Sequence, residues 1–328
     1  MTSIKYEYFD NGCNKLFISL GPNAASGKYL FYAIREQAFA DCLYFLDTSD
    51  RYYVHLLEEI TARIGEICAT HKYVDITIVG FSAGALTACL VGAKLKYTGD
   101  INIHAFSPHV SLNSKYSNAY NRLGNSIDGY DLQQLKLEGN RRKINLYFPT
   151  KSVQDGYHVR DSFALSSPHI RSFYMRTSHD TSVAVRENYP QQLKELVNGT
   201  FSISDQLLAT RDDIVHCLIL TDLIVAEQDS RISPYVRMAD NPQQYSAEYA
   251  HWQARQLARL GDLDAAIQWG WAAIIKSVPN VPESYPEALG HMAYDNGRPT
   301  EALRAYLLMQ NPEKPVMDRI ALLRKWNE

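Results

Sequence analysis

Over the first 200 residues, short apolar runs alternate with longer stretches in which apolar side chains recur every three or four positions. The runs Lys15 to Leu20, Cys42 to Leu46, Asp75 to Val79, Ile101 to Phe106, Ile144 to Phe148 and Ile170 to Met175 have the length and composition of strands. Between two of them, Val54 to Thr70 sets Leu57, Ile60, Ile64, Ile67 and Cys68 near one side, while Glu58, Glu59 and Arg63 point elsewhere; this is an amphipathic helix. Ala83 to Leu95 is rich in Ala and Gly, which predicts a helix packed close to the sheet. Strands and helices in alternation predict an α/β fold, a mostly parallel sheet with helices on both faces. The polar stretch from His109 to Lys143, rich in Asn, Ser and Tyr, reads as an insertion or lid beside a site.

The pattern changes after a helical segment around Gln191 to Val197. Asn198 to Ser204 reads as a linker, and from Asp205 onward every periodic segment is helical, which predicts a catalytic-type domain over 1–200 and an all-α domain over 201–328. Two segments of the second domain align, one around Gly261 with Ala266 and Ile267, the other around Gly297 with Ala302 and Leu303, 36 residues apart. A helix ending at Gly, a tight turn and a second helix with a small Ala for close packing form a helical hairpin. With a spacing near the tetratricopeptide period of about 34, this half resembles tetratricopeptide hairpins, with ordinary helical hairpins as the alternative.

Composition narrows the partners. At 328 residues the chain exceeds the usual single-domain range, and 46% hydrophobic and 21% charged residues are those of a folded protein. A formal charge of −3 offers no basic surplus for nucleic acid or an anionic membrane. The stretch Met1 to Tyr8 has no signal-like apolar region, and no segment approaches the roughly 18 apolar residues of a membrane span, so a cytoplasmic protein is expected. Five cysteines, Cys13, Cys42, Cys68, Cys89 and Cys217, are widely spaced, without a metal-like cluster, and four of them lie in apolar segments as expected of buried thiols.

The candidate chemistry follows the run Asp75 to Val79. Gly80-Phe81-Ser82-Ala83-Gly84 is a G-x-S-x-G sequence between a predicted strand and a predicted helix, the context in which a sharp turn thrusts its serine out at the carboxyl end of a sheet. A serine hydroxyl needs a base, and the base an acid. Asp155 lies in the loop after the next-to-last predicted strand and His179 in the loop after the last, giving the chain order Ser, Asp, His. Asp161 and Asp180 are alternative acids. His158 follows the acid loop, where it could line the pocket, and His169 precedes the last strand and so sits at its other end.

On these residues the first 200 positions resemble the α/β-hydrolase family. The resemblance implies Ser82 as nucleophile, His179 as general base and then acid, and Asp155 as the group that orients His179. Oxyanion donors are expected from the backbone of Ala83 and from the loop 21–27, where Pro22 has no N–H and Asn23 or Ala24 is the better candidate. That loop imitates a phosphate-binding loop, but five residues separate its glycines and Tyr29 stands where Ser or Thr would hold magnesium, so no nucleotide or metal is expected.

The implied function is acyl transfer through an acyl-Ser82 intermediate, either an esterase or an O-acyltransferase. The expected partner is a small ester or acyl donor, acetyl-coenzyme A for a transferase and otherwise no cofactor. Tyr52, Tyr53, Tyr116, Tyr120, Tyr130 and Tyr157 would suit stacking on a carbohydrate acceptor, and the helical half would suit a protein partner. The alternative is a non-catalytic scaffold that keeps the hydrolase fold and works through its helical half.

Overall fold

A computed structural model describes residues 4–22, 29–37, 39–49, 51–113, 115–116, 118–123, 127, 129–137, 141–186 and 189–326. The chain divides into two compact units, Met1–Leu218 and Ile219–Glu328.

Among the described residues, the first unit is built on a sheet of β1 (Ile4–Phe9), β2 (Lys15–Leu20), β3 (Asp41–Asp47), β4 (Asp75–Phe81), β5 (Asp100–Phe106), β6 (Arg142–Pro149) and β7 (Ile170–Met175). Their order is β1-β3-β2-β4-β5-β6-β7, and every pairing is parallel except that of β1 with β3. Alternation along each strand sends side chains to two cores. Leu16, Ile18, Ile76, Ile78, Ile103 and Leu146 enter one, with α1 (Leu57–Thr70) and α2 (Ala83–Lys94) packed over them. Phe17, Tyr44, Val79, Phe106 and Tyr147 enter the other. Above that second face, α3 (Asn118–Leu123) and α4 (Gly156–Ser162) having preceded them in the chain, lie α5 (Val183–Arg186) and α6 (Gln191–Asn198). This is an α/β fold with helices on both faces of a mostly parallel sheet, the arrangement expected from the sequence.

The antiparallel edge strand β1 is absent from the strands expected above. Only Ile4 of it is buried, and Lys5 and Glu7 break its apolar run, as suits an edge. The expected linker also lies elsewhere in function. Beyond Asn198 the chain runs back along β7, where Leu208 bridges Met175, the Arg176 N–H donates to the Leu207 carbonyl, and the Ala209 N–H donates to that of Tyr174. Phe201, Ile203 and Leu207 pack on the second core. The first unit therefore runs through Leu218, inside α7 (Arg211–Gln228), and not to residue 200.

The second unit is all helical, with α8 (Ala247–Arg259), α9 (Leu263–Ser277), α10 (Ser284–Asp295), α11 (Pro299–Tyr306) and α12 (Lys314–Trp326). Gly261 and Gly297, both at positive φ, turn the chain between α8 and α9 and between α10 and α11, and Ala266 and Ala302 are both wholly buried. These are the helical hairpins expected from the aligned segments. No helix among the described residues is long and apolar enough to cross a membrane.

Candidate active site

The turn from β4 into α2 is forced by its glycines. A Cβ on Gly80 would lie 2.4 Å from the Gly84 carbonyl oxygen, and one on Gly84 would lie 2.5 Å from that of Leu20. Without side chains at these two positions the helix seats directly on the ends of β4 and β2. Ser82 between them is held at φ 51° and ψ −113°, a conformation that costs a non-glycine residue about 1–3 kcal/mol. Its N–H donates to the Phe106 carbonyl at 2.9 Å, which anchors the strained residue to the end of the neighbouring strand.

The three polar side chains expected at the site meet there. His179 Nε2 lies 3.0 Å from Ser82 Oγ, and His179 Nδ1 lies 2.9 Å and 3.1 Å from the two oxygens of Asp155. A carboxylate accepts only, so the Nδ1–H donates to Asp155 and Nε2 is left to accept the Ser82 hydroxyl proton. Asp155 is 3% exposed and the His179 side chain 43%, so the carboxylate is sealed in while the imidazole opens to solvent. The hydrogen bond to Asp155 raises the His179 pKa above its ordinary 6.5, against a burial effect that lowers it.

The alternative acids and bases lie elsewhere. Asp180 turns its carboxylate onto the Ser182 N–H and hydroxyl, and Asp161 pairs with Arg160. His169 sits at the amino end of β7, with its carbonyl accepting from the Ile144 N–H. His158 is fully buried one helical turn beyond Asp155.

Ala83 is the first residue of α2, where no earlier helical carbonyl can accept its N–H. Asn23 and Ala24 lie outside the described residues. The start of their loop is fixed, since the Tyr53 hydroxyl donates to the Gly21 carbonyl at 3.0 Å.

Of the tyrosines expected to stack on sugar, Tyr52, Tyr53, Tyr130 and Tyr157 are buried and fill the fold instead. Tyr130 is itself tied down, donating to the Tyr53 carbonyl and accepting the His55 N–H. Tyr116 and Tyr120 are half-buried, with Tyr116 stacked on Tyr157.

The sequence did not single out Ser107. It follows β5 at φ 49°, donates its hydroxyl to the His179 carbonyl, and lies 2.9 Å from the Thr181 hydroxyl. Nor did it single out His109, whose ring lies against that of His158 with centroids 4.5 Å apart.

Other features sit away from this chemistry. A groove of about 910 Å³ opens beside the far end of α2, lined by Leu90, Lys96, Leu135 and Arg142 among others, and does not reach Ser82. Asp10, Asp41 and His71 bring metal-type donor atoms within 4.8 Å of one another at the amino end of β3. There Asp41 is already engaged, accepting from the Asn11 and Cys13 N–H groups and the Tyr73 hydroxyl.

No family model matches the chain, and no curated protein matches it. Among solved structures, the chain is similar to the esterase Pf2001 of Pyrococcus furiosus, at 15% identity and a TM-score of 0.42 over 60% of this chain and 85% of that one. It is also similar to the α/β-hydrolase enzyme MGS-M2 from a Medee basin deep-sea metagenome library, at 13% identity and a TM-score of 0.38 over 63% of this chain and 96% of the other. An uncharacterised protein from Capnocytophaga ochracea covers more, 98% of this chain and 99% of its own, at 10% identity and a TM-score of 0.34.

Proposed function

We propose that this protein is a serine-dependent acyl-transfer enzyme that works through an acyl-Ser82 intermediate. The observation that carries the reading is the continuous chain from Ser82 Oγ through His179 to a sealed Asp155, at 3.0 Å and 2.9 Å, with the serine on a strained turn at the carboxyl end of the sheet.

In this reading His179 Nε2 takes the hydroxyl proton as Ser82 Oγ bonds to the acyl carbon, and Asp155 stabilises the imidazolium so formed. The carbonyl oxygen becomes an anion within reach of the Ala83 N–H. Collapse of this adduct expels the alcohol or thiol of the donor, which takes the proton from His179. The acceptor then gives its own proton to His179 as it attacks the acyl group, and Ser82 Oγ leaves by taking that proton from His179, which restores the free serine. Water as acceptor makes the protein an esterase. A sugar or other metabolite hydroxyl makes it an O-acyltransferase, with acetyl-coenzyme A a suitable donor and the half-buried Tyr116 and Tyr120 as rings on which a carbohydrate would stack.

The helical unit, tetratricopeptide-like in the spacing of its hairpins, is proposed to bind a partner. Its exposed Ile275, Val278, Leu307 and Met317 support that role. A scaffold working through this unit alone would have no use for the strain at Ser82.

A fluorophosphonate probe tests the reading. It should label wild-type protein and leave Ser82→Ala unlabelled and folded; equal labelling of both would refute it.

A further inference from the structure

His109 and His158 are buried side by side, 6% and 1% exposed, with their rings 4.5 Å apart and tilted 58°. Tyr52 closes the other side of His109, edge-on at 5.3 Å. Burial holds both rings neutral, lowering the His109 pKa to about 4 and that of His158 well below 6.5. His158 Nδ1 accepts the Val110 N–H at 3.3 Å, so the one proton of its neutral ring is on Nε2. That Nε2–H is buried and has no partner among the described residues, and the same is true of His109 Nδ1. Two unpaired nitrogens on adjacent buried rings are costly unless something partners them.

Their place in the sheet says what that is. Ser82 follows β4; Gly21 follows β2 on one side of it, while His109 follows β5 and Asp155 and His158 follow β6 on the other. That second side also carries His179, which hands protons to the leaving alcohol and takes them from the acceptor. With its proton on Nε2, His109 would present Nδ1 as an acceptor, and that acceptor together with the donor at His158 Nε2 complements a hydroxyl, which accepts one hydrogen bond and donates one.

We infer that His109 and His158 form a hydroxyl-binding subsite for the alcohol portion of the substrate or acceptor, so that this enzyme acts on polyol or sugar-like alcohols in preference to simple alkyl ones. The inference rests on the proposed acyl-Ser82 chemistry. A site built to pair a hydroxyl discriminates against the analogue that lacks it, because its own polar groups are then stranded.

The test compares kcat/KM for 2-hydroxyethyl acetate and ethyl acetate, with fluorophosphonate labelling of Ser82 in the same samples. Wild type should favour the hydroxylated ester by about tenfold or more. His158→Phe and His109→Phe should bring that ratio to about one, chiefly through KM for the hydroxylated ester, and His158→Gln, which restores a donor, should recover part of it. A purely structural role would depress both esters together and leave the ratio alone. A labelled wild type with a ratio near one, or a ratio that survives both Phe variants, overturns the subsite and leaves the acyl-enzyme reading standing. A wild type that neither labels nor turns over either ester overturns both. Should the Phe variants fail to fold, ethylene glycol titrated into Ser82→Ala should move the imidazole nitrogen resonances of His109 and His158 saturably; resonances that stay put overturn the subsite.

Discussion

Ser107 donates its hydroxyl to the backbone carbonyl of His179, tying the end of β5 to the loop that follows β7. The bond crosses β6, and the Thr181 N–H of the same loop donates to that carbonyl at 3.0 Å, closing a tight turn around it. The imidazole is thus positioned by its own backbone as well as by Asp155.

Ser107→Ala should therefore keep the fold, with a loss of about 1 kcal/mol for a buried hydrogen bond, yet slow turnover by about tenfold through a displaced His179. Steady-state kcat on an aryl acetate, read beside the unfolding temperature, checks this. An unchanged kcat would mean that the loop is held by other contacts.

Asp155→Asn should cut kcat by about a thousandfold or more, since the amide favours the wrong tautomer of His179. The same change removes the main influence that raises the His179 pKa, so the imidazole should titrate lower by NMR than in wild type. Asp161→Asn and Asp180→Asn touch neither ring nitrogen of His179 and should do much less. An inactive Asp180→Asn beside an active Asp155→Asn would overturn the assignment.

Only neutral His179 can accept the serine proton, and its pKa is raised, so kcat/KM should climb with pH through an apparent pKa above 6.5. The sign for stability is opposite. A raised folded pKa contributes stability that is present below 6.5 and is lost as pH rises through the folded value, so Asp155→Asn should lose stability most below pH 6.5. An activity midpoint below 6.5, where chemistry limits the rate, would contradict the part given to Asp155.

A fragment ending near residue 200 would lose the segment that pairs with β7, including the Leu208 bridge to Met175 and the 2.7 Å contact between Arg176 and Asp213. Residues 1–218 should accordingly unfold at a higher temperature than residues 1–200 and retain more aryl-ester activity. Equal stability of the two fragments would show the 201–218 segment to be dispensable.

The parts of the site that were legible in the sequence are those with a local pattern. Ser82 is flagged by glycines two residues either side, and Asp155 and His179 by their place after apolar runs that can only be strands. The same runs made the parallel sheet readable. What escaped notice lacks such a pattern. β1 alternates with charge because it is an edge, and the segment 201–209 spaces Phe201, Ile203 and Leu207 too sparsely to read as part of the first unit. Ser107 and the pairing of His109 with His158 exist only because β5, β6 and β7 are neighbours, which is a fact of topology and not of spacing. The buried tyrosines misled for a related reason, since an aromatic near a strand end fills a core as readily as it lines a pocket.

The central claim, an acyl group carried on Ser82, is tested most directly by rapid mixing with 4-nitrophenyl acetate, acid quench and mass spectrometry of the intact and digested protein. The account predicts a burst of nitrophenol and one acetyl group on the peptide that contains Ser82, both absent from Ser82→Ala. An acetyl group found on another residue, or an undiminished burst from Ser82→Ala, would contradict it.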